Sequence, residues 1–233
     1  MSEQILPGLH DYPTLKGIDP LLATGTLLST CARETTEHGD LRLHYTSELN
    51  GNSVTRAIIS PTGIELAKAN PFFLSFIDNA PEYHPFRDIR HGNQCGAVVK
   101  RTITVPEGSK SVAIKNLRGG IVDGGSGIEM FRIFRKLQAA GVLTAEPILA
   151  SGNVIVTEWL DGRKIDLLSD TRPFLEYISK LDNIFKNIPD LTAHFGRHYS
   201  IDRNMENVII LNESDPDPLK RYKTFDPVFF DIF

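Results

Sequence analysis

One stretch limits the possible folds more than any other. Residues 95–106 (CGAVVKRTITVP) and 111–117 (SVAIKNL) are two strand-like runs joined by PEGSK, the pattern of a β-hairpin. Immediately after comes GGIVDGGSG (119–127), with five glycines in nine positions, a segment of turns. Then IEMFRIFRKLQAAG (128–141) places Ile128, Phe131, Phe134 and Leu137 on one face and ends in glycine, as a helix does. A hairpin feeding a helix through a glycine-rich link favours an antiparallel sheet with helices added, an α+β arrangement.

The rest of the chain extends that pattern. PILASG and NVIVTEWL read as strands separated by a turn, and 171–188 (TRPFLEYISKLDNIFKNI) as a helix with Thr171 as a candidate cap and Pro189 beyond its end. ENVIIL reads as a strand, NESDPDPLKR as a polar loop and YKTFDPVFFDIF as a closing strand and tail. Before the hairpin, 21–38 (LLATGTLLSTCARETTEH) suggests a short helix. LRLHYTS (41–47) and TRAIIS pair around the NGN turn, and 64–77 is helical in its first half. The Pro-containing segment NAPEYHP (79–85) marks an expected boundary between an N-terminal extension, 1–85, and a domain spanning 86–233.

Composition excludes some classes. The 233 residues carry a formal net charge of −4, which argues against bulk nucleic-acid binding. Two cysteines, Cys31 and Cys95, are too few and too far apart for a disulfide framework or a structural zinc site, so a reducing compartment is expected. The N-terminus lacks the basic flank and apolar core of a signal peptide, and no stretch approaches 18 apolar residues. The expectation is a cytoplasmic protein with no membrane insertion. Export by a route with a different signal stays open.

The order of the polar motifs carries more information than any one of them. A glycine-containing hairpin is followed by VAIK (112–115), a helix opening with Glu129, a strand ending TEWLDG, a helix, Asp202 and Asn207 in D-x-x-x-x-N, a strand, and Asp226 after Phe225. This order, over roughly residues 87–230, resembles the protein kinase-like superfamily, with VAIK as the best single match. The resemblance implies a kinase-like fold with an antiparallel-sheet N-lobe and a much reduced helical C-lobe.

It also implies roles, because phosphoryl transfer is mostly positioning and charge neutralisation. Gly92 and Gly96 would turn over the phosphates of ATP, and Val98 and Ala113 would also belong to the cofactor-binding set. Lys115 would bridge two phosphates and pair with Glu129; the alternatives are an ordinary strand lysine and a first-turn glutamate favoured by the helix dipole. Thr157 would be the gatekeeper, with the backbones of Glu158 and Leu160 reading the adenine edge; the alternative is a buried strand ending in a D-G turn. Asp202 would accept or orient the proton of the attacking hydroxyl, and Asn207 and Asp226 would bind Mg2+, with Asp231 as a rival to Asp226. The alternative for Asp202 and Asn207 is a turn.

The departures are specific. Arg90 stands where the family's first loop glycine lies, Ser200 and Ile201 replace the His-Arg pair, Asn204 replaces a lysine, and DPV replaces DFG. Seven residues follow Asp226, so no activation segment is expected. The resemblance is closest to minimal bacterial effector kinases, which implies an ATP- and Mg2+-dependent Ser/Thr protein kinase acting on a protein, host proteins included, with a role for an activating partner left open. The competing class is a pseudokinase or nucleotide-binding interaction module. A small-molecule kinase is disfavoured because no acidic helical substrate lobe follows the catalytic loop.

Overall fold

The structure, a computed structural model, describes residues 31–46, 51–70, 73–74, 98–117, 125–166, 169–188, 199–201, 203, 205–226 and 228–230. The chain divides into two compact units. The first comprises Met1–Phe131 and Ile148–Val156, the second Arg132–Pro147 and Thr157–Phe233.

A seven-stranded sheet dominates. Its strands are β1 (Ala32–Thr35), β2 (Leu41–Thr46), β3 (Ser53–Ile59), β4 (Val99–Val105), β5 (Gly108–Asn116), β6 (Pro147–Ser151) and β7 (Val154–Glu158), in the order β1-β2-β3-β6-β7-β5-β4. The β1–β2, β2–β3, β3–β6 and β4–β5 ladders all run antiparallel. Mixed helix and antiparallel strand is therefore the observed class, as the hairpin pattern implied. The β3–β6 ladder (Ala57↔Ser151, Ile58↔Ala150, Ile59↔Leu149) makes the N-terminal strands part of the same sheet as the 95–117 hairpin.

One expected helix is corrected. Within 21–38, residues Ala32–Thr35 form strand β1, and 21–30 lie outside the described residues. A turn reverses the chain so that Thr36 N–H donates to Asp40 O (2.8 Å) and Gly39 N–H to Thr36 O (2.9 Å), which sets β1 against β2. All four β1 residues are exposed, so no buried stripe fixes its type; cross-strand pairing does.

The first unit packs its apolar core on one face of the sheet. Leu43, Ala57, Ile59, Ile103, Val112, Ile114, Leu149 and Val156 pack with Leu66 and Ala67 of helix α1 (Pro61–Ala69) and with Phe73 and Leu74. Helix α1 begins three residues before the expected 64 because Ser60 caps it, its side chain accepting from Gly63 N–H, with Pro61 in the first turn.

Helix α2 (Ser126–Ala139) buries Ile128, Phe131, Phe134 and Leu137, the predicted stripe, together with Met130 and Ile133. Helix α3 (Thr171–Asn187) buries Phe174, Tyr177, Ile178, Leu181 and Phe185, a spacing that lays one apolar face along four turns. Tyr177 stacks with Phe174 (centroids 6.1 Å) and Tyr222 (5.1 Å) in the second unit's core. Strands β8 (Arg163–Lys164), β10 (Val208–Ile210) and β11 (Tyr222–Thr224) form a second sheet in the order β11-β10-β8. The strands β9 (Tyr199–Ile201) and β12 (Val228–Phe230) pair antiparallel.

The expected polar loop 212–221 ends in a short helix, α4 (Pro218–Arg221), a second correction. Asp217 caps it by accepting from Leu219 N–H (3.1 Å), and Pro218 at its start is buried. An Asp-Pro pair supplies both the cap and the preset φ that begin a helix. Among the described residues no helix is long and apolar enough to cross a membrane.

Candidate active site

The first unit holds both Lys115 and Glu129, on elements whose ends are bonded to one turn. Val112 and Ile114 belong to the core cluster, so Ala113 and Lys115 share the opposite face of β5 by strand alternation. That face is also covered: Ala113 is buried, and Lys115 is only 4% exposed. Glu129, in the first turn of α2, is 5% exposed. Buried charge is tolerated only where it is compensated.

The turn between β6 and β7 explains how their elements converge. Asn153 O accepts from Leu117 N–H (2.8 Å), which fixes the end of β5 two residues beyond Lys115. Asn153 Oδ1 accepts from Ser126 N–H (3.2 Å), and Gly152 O from Gly127 N–H (2.9 Å), which fixes the start of α2. This close approach requires glycine. A Cβ at Gly127 would collide with the Val154 carbonyl, and one at Gly125, whose φ is +103°, would meet the Gly152 backbone. Part of the glycine run is therefore the start of α2 itself, kept bare so that it can pack on the β6–β7 turn.

The second unit holds the hinge and metal candidates. Thr157 is buried, and its hydroxyl has no hydrogen-bond partner among the described residues. Glu158 N–H donates to Glu146 O (2.9 Å), which ties the end of β7 to the segment before β6. Trp159 and Leu160 leave the strand, and Trp159 Nε1–H donates to Asp161 (2.9 Å) at the turn.

Asn207 and Asp226 lie at one end of the β10–β11 hairpin. The register pairs Val208 with Thr224. One step beyond, Asn207 O accepts from Phe225 N–H (3.0 Å) and from the Thr224 hydroxyl (3.2 Å). Both candidate ligands are half-buried and offer oxygen donors, the set Mg2+ prefers. Among the described residues no group of three or more His, Cys, Asp or Glu side chains could hold a metal ion. An Asn and an Asp with a nucleotide's phosphates and water would not need one.

Gly92, Gly96, Asp202 and Asp231 lie outside the described residues, as do Arg90 and Asn204. Val98 is described and exposed, just before β4, where Val99 pairs with Ile114.

Sequence reading missed a polar network in the second unit. Arg135 donates to both carboxylate oxygens of Glu146 (3.2 and 3.0 Å), with Gln138 bonded to each, and Lys223 Nζ lies 2.7 Å from Glu158 Oε2. The available signal was slight: Lys223 sits between two core-facing residues, Tyr222 and Thr224, and so points off the core. A second ion pair locks β8 to α3. Arg163 forks onto Asp170 (2.9 and 3.1 Å) and also bonds Glu213. Arg163, followed by the Asp166 N–H, holds the Asp170 carboxyl below the usual carboxylate range.

No protein-family description matches the sequence, and no curated protein is similar to it. Among solved structures, the chain is similar to that of the Rio2 kinase–ADP/Mg2+–phosphoaspartate complex from Chaetomium thermophilum. The TM-score is 0.36 and the identity 15%, over 87% of this chain. The match spans 57% of that structure's chain, and a TM-score of this size does not establish a shared fold.

Proposed function

We propose that the protein is an ATP- and Mg2+-dependent phosphotransferase of the protein kinase-like type, acting on Ser or Thr hydroxyls of a protein. The observation that carries this reading is the burial of two opposite charges, Lys115 and Glu129, on elements tied to the same Gly152–Asn153 turn. A strand lysine is ordinarily exposed. A buried one, on a strand tied to the same turn as a glutamate-bearing helix, supports a task other than solubility. Asn207 and Asp226 at one hairpin end add to it.

The roles follow from the chemistry. Bound Mg-ATP would supply the transferable phosphoryl group, with the metal neutralising its charge. Lys115, oriented by Glu129, would hold phosphate oxygens. The Glu158 carbonyl and Leu160 N–H would meet the adenine edge, and Asn207 and Asp226 would hold the metal. Asp202 would orient the acceptor hydroxyl and take its proton. Asn204, where the family has a phosphate-contacting lysine, supports the competing reading of a nucleotide-binding module without transfer.

Transfer from γ-labelled ATP with Mg2+, with and without a eukaryotic cell lysate, separates the two. Label on a lysate protein that is lost with Asp202→Ala, at unchanged Tm, is the expected result. Label that persists in the variant would remove Asp202 from the mechanism. Nucleotide binding without any label would favour the binding module.

A further inference from the structure

We propose that Lys223 and Glu158 are a positioning pair that couples the base end of the nucleotide site to its metal end. This inference rests on the phosphotransferase reading. Strand β11 carries Lys223 three residues before Asp226, and Glu158 is the expected hinge residue, whose backbone would meet the base. The Lys223 ammonium lies 2.7 Å from Glu158 Oε2.

Several contacts make this pair more than a surface ion pair. Glu158 and Glu146 clasp each other: Glu158 N–H donates to Glu146 O (2.9 Å), and Glu146 N–H donates to Glu158 Oε2 (3.2 Å). Two carboxylates are thereby held on adjoining segments, and each has its own cation. Arg135 serves Glu146 and Lys223 serves Glu158. The cations are largely shielded, with 13% side-chain exposure for Arg135 and 19% for Lys223, so water screens them less than it does an exposed pair.

The backbone of β11 is fixed to the same segment. Ala145 N–H donates to Thr224 O (2.7 Å) and Thr224 N–H to Leu143 O (3.1 Å). Removing the Lys223 charge would leave Glu158 beside Glu146 without its cation. The Glu158 carboxylate would then turn to water and give up its bond from Glu146 N–H, and the strand leading to Asp226 would lose its side-chain tie to the hinge while the backbone bonds remain.

The readout is the advantage that Mg2+ gives to nucleotide binding: the Kd of a fluorescent ATP analogue without Mg2+ divided by the Kd with it. In Lys223→Met this ratio is expected to fall at least fivefold, and Lys223→Arg should restore it to within twofold of wild type. Glu158→Gln, which keeps an acceptor for Glu146 N–H, should lower the ratio as Lys223→Met does. A structural role alone would lower Tm and leave the ratio unchanged, and that result would overturn the pairing. A wild-type protein that binds the analogue while both variants keep its ratio also defeats the inference but spares the phosphotransferase reading. A wild-type protein that binds no nucleotide removes both.

Discussion

Gly127 has no room for a side chain. Its position against the Val154 carbonyl lets the first turn of α2 sit on the β6–β7 turn. Gly127→Ala must push two backbones apart, an overpacking cost of about 1–3 kcal/mol. Thermal melting should show a Tm lower by about 3–10 °C, and an unchanged Tm would mean the approach is looser than described. Asp170 gives a different kind of prediction. Its folded-state pKa lies below the unfolded value of about 3.9, so its contribution to stability is present above that value and is lost as pH falls through the folded one. Asp170→Asn should lower Tm by about 3–6 °C at pH 7. The gap between variant and wild type should close as the pH is taken below about 4. A gap that stays constant to pH 3 would show that Arg163 does not favour the ionised carboxyl. Single residues of these kinds are poorly legible in sequence. Lys115 and Glu129 stand out through their motif, whereas Arg163 and Asp170 look like ordinary polar residues until the fold brings them together.

Elements with their own periodic signal are read well from sequence. Helix α3 occupies Thr171–Asn187 against an expected 171–188, because its apolar stripe repeats for four turns and prolines mark its ends. Strands β4, β6 and β7 are legible for the matching reason, since alternation and turn residues agree, whereas β5 begins at Gly108, inside the expected PEGSK turn. Strand β1 is not. Its residues ARET are all exposed, and its conformation is imposed by the Thr36–Asp40 turn and by β2, so nothing local distinguishes it. Helix α4 was hidden differently: four residues are too few to show a period, and only the Asp217-Pro218 cap signals it. The Arg135–Glu146–Glu158–Lys223 network joins parts of α2, β7 and β11 that lie far apart in sequence, and no window of the chain contains it.

The seven-stranded sheet sets a condition on how the protein can be cut. Strand β6 has β3 on one side, and β6 is buried along Pro147–Ala150. A chain beginning at residue 86 would leave that edge bare and apolar, with Leu149 and Ile148 beside unpaired backbone groups. Such a fragment is expected to be aggregation-prone at concentrations where the full chain stays monodisperse in size-exclusion chromatography. A soluble, cooperatively melting 86–233 fragment would instead show that the N-terminal strands are dispensable. Two turns in this sheet are alike in length, a two-residue reversal between β4 and β5 and another between β6 and β7. Only the second carries the bonds from Leu117, Ser126 and Gly127, while Pro106 and Glu107 are simply exposed. A tag, a fluorophore or a few extra residues would therefore be accommodated after Pro106. The same insertion after Gly152 would undock a helix and a strand together.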